Sequence, residues 1–170
     1  MTITAAPAKE WLITDSADRP AATITSVING KMSDGSTIDD ANLVDGSGEA
    51  TGRIGMFQNK SNLTTYVGDL SKLTDGRYMF DGCQSLTTFI ANLGSLVYGG
   101  YMFRNCKLDE ESLMYIVDSL PENPNKDVQT TGWGEPDPVE GEYHITVGVA
   151  EGVDKTPYIA EAAAKGWTLA

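Results

Sequence analysis

The chain has 170 residues, 41% of them hydrophobic, and includes 18 glycines. That suffices for one ordinary domain with a core, rich in turns, and excludes a wholly disordered chain. A formal net charge of −12 disfavours a nucleic-acid backbone or an anionic membrane as partner, because both would repel it.

The charge is uneven. Residues 1–52 carry eight acids and three bases, and residues 109–142 carry ten acids and one base. Between them, residues 53–108 hold six bases against three acids. Met1–Glu10 has neither a basic nor an apolar leader region, so export from this start is not expected. No apolar run is long enough to span a bilayer, so membrane insertion is not expected either. Residues 1–52 read as an N-terminal arm and β-rich cap: Ala22–Ile28 alternates partly, Asn29-Gly30 is a hairpin signal, and Asp34-Gly35 and Asp45-Gly46 mark turns.

Residues 53–121 carry an internal repeat. Met-Phe recurs at Met56-Phe57, Met79-Phe80 and Met102-Phe103, with a spacing of 23 residues that lies in the leucine-rich-repeat range. Leu63 matches Leu86, Tyr66 matches Phe89, Tyr78 matches Tyr101 and Cys83 matches Cys106. Each unit has one extended piece, Leu63–Val67 or Leu86–Ile90, suited to a strand. Stacking the units in parallel would bury Met56, Phe57, Leu63, Met79, Phe80, Cys83, Leu86, Met102, Phe103 and Cys106 as a shared core. Cys83 and Cys106 then lie in adjacent layers, as two reduced apolar side chains in preference to a disulfide or reactive pair.

Past Cys106 the pattern changes. Leu113, Ile116, Val117 and Leu120 keep helical spacing, Asp109 is placed to cap the helix, and Pro121 ends it. Residues 122–142 are rich in Pro, Gly and acids and read as a surface loop, with Trp133 set between glycines. Residues 143–170 read as a strand–helix cap: Tyr143–Val149 alternates, Thr156 is placed as a side-chain cap with Pro157 at the first helical position, Gly166 stops the helix, and Trp167 and Leu169 fold back on the core.

The segment Met79–Phe89, Met-Phe-Asp-Gly-Cys-Gln-Ser-Leu-Thr-Thr-Phe, resembles the BspA-type leucine-rich repeat, whose units read roughly M-F-x-x-C-x-x-L-T-x-I. The likeness covers residues 53–121, and 143–170 resembles the closing segment of such arrays. The fold expected is α+β: a short leucine-rich-repeat solenoid of about 2.5 repeats between an N-terminal β-rich cap and a C-terminal strand–helix cap. Members of that family occur on bacterial surfaces, in protist surface proteins and in bacteriophage structural genes, typically in adhesion. The resemblance implies no catalytic residue.

The stock of chemical groups agrees with a non-enzymatic reading. His144 is the one histidine, which excludes a multi-histidine metal site, and no metal or cofactor is expected. The Asp-Gly pairs lack calcium-loop spacing, and no phosphate loop is present. Binding is expected instead from Thr64, Tyr66, Thr87 and Phe89, with the aromatics facing outward or, equally, buried under a loop; Trp133 and an outward-facing His144 are further candidates. The expected function is a virion structural, decoration or fibre-type protein of a bacteriophage. Its partners would be other virion proteins or copies of itself, and a host surface protein or glycan. A bacterial cell-surface adhesin is the alternative.

Overall fold

The computed structural model describes residues 20–47, 55–124 and 143–170. Two sheets and two α-helices surround a continuous core that runs from Ile24 to Leu169. The first sheet is mixed, with strand order β2-β1-β3-β4. Its strands are β1 (Ser26–Ile28), β2 (Lys31–Met32), β3 (Thr65–Gly68) and β4 (Thr88–Ala91). Asn29 and Gly30, both at positive φ, turn β1 antiparallel onto β2, the geometry that an Asn-Gly hairpin supplies. β1 then runs parallel to β3, and β3 parallel to β4.

The 23-residue period sets the register between β3 and β4: Thr65 lies opposite Thr88, Tyr66 opposite Phe89 and Val67 opposite Ile90. The turns before these strands stack in the same way. Phe57 N donates to Met79 O at 2.8 Å, and Phe80 N to Met102 O at 2.9 Å. Phe57 and Phe80 stack at 5.2 Å and Phe80 and Phe103 at 5.4 Å, nearly coplanar in both cases. Each cysteine thiol donates to the carbonyl of a phenylalanine 26 residues earlier, Cys83 to Phe57 at 3.1 Å and Cys106 to Phe80 at 3.3 Å. Both thiols are buried and free.

A leucine-rich-repeat solenoid does not form. The second sheet consists of β5 (Tyr98–Leu108), β6 (His144–Val149) and β7 (Thr168–Leu169), all parallel. Met102 and Phe103 lie within the 11-residue β5, which pairs with the C-terminal segment and does not lead to a third repeat strand. The reason is local. Twenty-three residues beyond β4 the chain is α1 (Glu110–Ser119), started by Asp109, whose side chain accepts the Ser112 amide at 2.8 Å. A helix cannot extend a strand ladder, so the stack ends after two strands. Ser112 closes the edge it leaves: its hydroxyl accepts the Phe89 amide at 2.8 Å and donates to Thr87 O at 3.2 Å.

The C-terminal segment closes the other side. α2 (Thr156–Ala164) begins with Thr156 inside the helix and Lys155 at the cap position, so Thr156 is not the expected side-chain cap. Gly166, at φ 80°, ends it. Lys165 Nζ donates to the carbonyls of Val117, Asp118 and Leu120 at the end of α1, and Trp167 Nε1 donates to Pro121 O at 2.8 Å.

Candidate binding surfaces

Two faces display side chains in repeating rows. The first is the outer face of the four-stranded sheet. Ser26, Thr65 and Thr88 form one row, and Ile28, Val67 and Ile90 the next, since each trio shares a register position. Ile28 is 49% exposed and the others in these rows are half-buried. The intervening row, Val27, Tyr66 and Phe89, points inward and is fully buried.

This corrects the expected binding strip. Tyr66 and Phe89 do not face outward; they stack on each other at 5.5 Å inside the core. Strict alternation from Leu86 fails because Thr87 N and Thr88 N both donate to Thr64 O, at 3.0 and 3.1 Å. Two residues sharing one acceptor advance the chain like a bulge and shift the phase by one residue. Leu86 and Phe89, three apart, therefore both point inward. Burial, and then the neighbouring Asp40 carboxylate, push the Tyr66 phenol well above its usual range. Thr64 and Thr87 are exposed, but their hydroxyls turn back to donate to Thr25 O at 2.9 Å and Thr64 O at 3.4 Å.

His144 is also placed otherwise than expected. It is buried, 4% exposed, beside Tyr98 in the β5–β6 pairing. Trp133 lies outside the described residues. The residues expected in the repeat core, Met56, Phe57, Leu63, Met79, Phe80, Cys83, Leu86, Met102, Phe103 and Cys106, are all buried.

The second face lies where the second repeat unit meets β5. Tyr78 and Tyr101, again 23 residues apart, stack at 5.0 Å. Arg104 sits 4.2 Å from the Tyr101 ring centroid and forms a two-pronged pair with Asp81 through Nε at 3.0 Å and Nη2 at 2.8 Å. Asp81 is buried and also accepts from Gln58 Nε2 at 2.9 Å. This pairing raises the already high pKa of Arg104. One step along, Arg77 lies 5.0 Å from the Tyr98 ring centroid and pairs with Asp75 at 2.5 Å. The tyrosines and both arginines are half-buried.

Both stacked tyrosines occupy the left-handed backbone region, Tyr78 at φ 60° and Tyr101 at φ 57°. For a bulky L-residue this conformation costs about 1–2 kcal/mol. Nearby turns of the same repeat reach it with Asn59, Gly82 and Asn105, residue types that tolerate it. What a tyrosine adds at 78 and 101 is its ring. Strain of this kind, held in place by surrounding structure, is a reason to look for function there. Sequence reading paired Tyr78 with Tyr101 but missed their stacking, because neither the φ values nor Arg104 over the ring can be inferred from spacing.

Among the described residues, no group of three or more His, Cys, Asp or Glu side chains is placed to hold a metal ion. No helix among them is long and apolar enough to cross a membrane. No family model, curated protein or solved structure matches this chain.

Proposed function

We propose that the protein is a non-enzymatic interaction protein, displayed on a bacteriophage particle as a decoration or fibre-type component. The observation that carries the interaction reading is the strained Tyr78–Tyr101–Arg104 column. Tyrosine and arginine supply large, amphipathic contact area and dominate binding hot spots. Here their rotamers are already set by stacking and by Asp81, so a partner need not supply the ordering energy. The particle location comes from the likeness of Met79–Phe89 to BspA-type repeats. Many copies on one particle raise weak single contacts to useful avidity.

The test has two parts. Density-gradient-purified particles and cell-envelope fractions are probed with an antibody to the protein, and adsorption of particles to host cells is counted for Tyr78→Asn. Asparagine tolerates the left-handed backbone, so this variant removes the ring without adding strain. Co-purification with particles and adsorption reduced at least tenfold are expected. Protein confined to the cell envelope would transfer the reading to a cell-surface adhesin. Unchanged adsorption would remove the column from the binding surface.

A further inference from the structure

Helix α1 carries more apolar surface than the core uses. Its inward stripe, Leu113, Ile116 and Val117, is buried, and Leu120 completes it. Yet Met114 and Tyr115, at consecutive outward positions, stay 43% and 41% exposed. Exposed apolar residues standing singly need no explanation, but a second apolar face on a helix whose core stripe is complete marks an interaction surface. α2 lies alongside. Near its start, Tyr158 Oη donates to Glu110 Oε1 at the start of α1, at 3.3 Å. Just past its end, Lys165 reaches the carbonyls of Val117, Asp118 and Leu120 at the end of α1. The two helices therefore run side by side in the same direction. Met114 stands one turn from both Glu110 and Asp118, so it borders the seam between them, with Tyr115 beside it.

The charge carried by the two helices has one sign. Glu110, Glu111, Asp118 and Glu161 are all exposed, and neither helix holds a lysine or arginine. The bases that flank α2, Lys155 and Lys165, donate to backbone carbonyls. Desolvation, and then the carboxylates of Glu110, Glu161 and Asp118, raise the Tyr158 phenol above its ordinary value, so acids of both helices act together at the seam. Apolar anchors among acids repel an anionic partner and match one that combines apolar with cationic side chains. Two helices side by side also present ridges and a groove in which a third helix packs.

We infer that the outward face of α1 and α2 docks a basic amphipathic helix of a partner protein. The partner's apolar stripe covers Met114 and Tyr115, and its lysines or arginines meet Glu110, Asp118 and Glu161. The tyrosine column takes no part in this contact, so the inference stands or falls separately from the interaction reading above.

The experiment titrates the full chain with a peptide of two Leu-Lys-Lys-Leu-Leu-Lys-Leu heptads, by calorimetry and by NMR of the protein amides. Two companion peptides separate the contributions: alanine for every leucine keeps the charge, and glutamate for every lysine keeps the apolar stripe. The leucine–lysine peptide should bind about tenfold or more tightly than either companion and shift the amides of residues 110–118 and 158–161. Met114→Gln with Tyr115→Gln, at exposed helical sites, should weaken it about tenfold or more. Glu110→Gln with Asp118→Asn should weaken it several-fold and flatten its salt dependence. Asp34→Asn with Asp39→Asn removes the same charge from the turn after β2, at the sheet edge opposite the one that α1 closes, and should leave affinity within about twofold. Folding of each variant is checked by its thermal midpoint. No binding of the leucine–lysine peptide, equal binding of the alanine companion, or an affinity that Met114→Gln with Tyr115→Gln leaves intact would each overturn the inference. So would a doubled mass of the chain alone in light scattering that Met114→Gln abolishes, since the occupant would then be a second copy.

Discussion

Gly82 and Asn105 occupy equivalent turn positions, with φ of 75° and 63°, and they respond to substitution in opposite ways. A Cβ on Gly82 would be driven into Asn59 Oδ1 and would sit in the left-handed region. Gly82→Ala is expected to cost about 1–3 kcal/mol. Asn105 is exposed and carries only residual strain, so Asn105→Gly should be neutral or stabilising by up to about 1 kcal/mol. Urea midpoints for the two variants should move in opposite directions or, at least, Asn105→Gly should not fall. The cysteines offer a second prediction at this scale. Burial, then the nearby Cys83 and Asp81, push the Cys106 thiol far above its usual value. The nucleophile is the thiolate, so the native protein should not react rapidly with a thiol reagent at pH 8. Both cysteines should titrate once guanidinium unfolds it. Rapid native labelling would contradict the buried positions of these side chains.

At the level of elements, the Phe89 amide at the β4 edge is met by a side-chain hydroxyl. Ser112 serves the Phe89 amide and the Thr87 carbonyl from a helix, and is itself 1% exposed. Ser112→Ala leaves the buried Phe89 amide without that partner, while Thr87 O keeps the Asp109 amide at 2.9 Å, so a loss of about 1–3 kcal/mol is expected. Hydrogen exchange at the Phe89 amide should accelerate more than at core amides away from this edge; uniform acceleration would mean a global effect only. Turns contribute a pH dependence. Asp34, Asp69 and Asp154 accept hydrogen bonds from Ser36, Ser71 and Thr156 two residues on, which lowers each carboxyl below its ordinary value. A folded pKa below the unfolded one means that the stabilisation is full above the unfolded pKa near 4. It is lost as pH falls through the lower folded value. The thermal midpoint should therefore decline below about pH 4, and Asp69→Asn should flatten that decline slightly, since the site is exposed and solvent-screened.

At the scale of the whole molecule, the C-terminal segment ties the second sheet to the end of α1. Trp167 is 2% exposed, meets Tyr143 edge-to-face at 5.4 Å, and donates to Pro121 just beyond α1. Lys165 caps the same helix end with three carbonyls. Trp167→Ala should cost about 3–5 kcal/mol and, by loosening α2 and β7, uncover β6 along the side where β7 pairs. An uncovered edge promotes association, so light scattering of this variant should show a rise in mass before the thermal transition. A monomeric, cooperatively melting variant with an unchanged midpoint would show that the closure does not depend on the indole.

Periodicity carried the register of β3 on β4 and the stacking of the Met-Phe pairs, and the Asn29-Gly30 dipeptide carried the hairpin. A 23-residue repeat repeats its contacts, and Asn-Gly encodes its turn locally. The helix at 110–119 was equally legible, since its cap, spacing and terminating proline are all local. The end of the array was not. Whether β5 continues a stack or founds a second sheet depends on its pairing with β6, a partner some 40 residues away that no local pattern names. The facing of Tyr66 and Phe89 escaped for a different reason: one carbonyl shared by Thr87 and Thr88 shifts the phase that strict alternation assumes. The tyrosine column required both kinds of information. Its 23-residue spacing is in the sequence, but the left-handed backbone, the ring stacking and the Arg104–Asp81 pair arise only when the second unit and β5 are brought side by side.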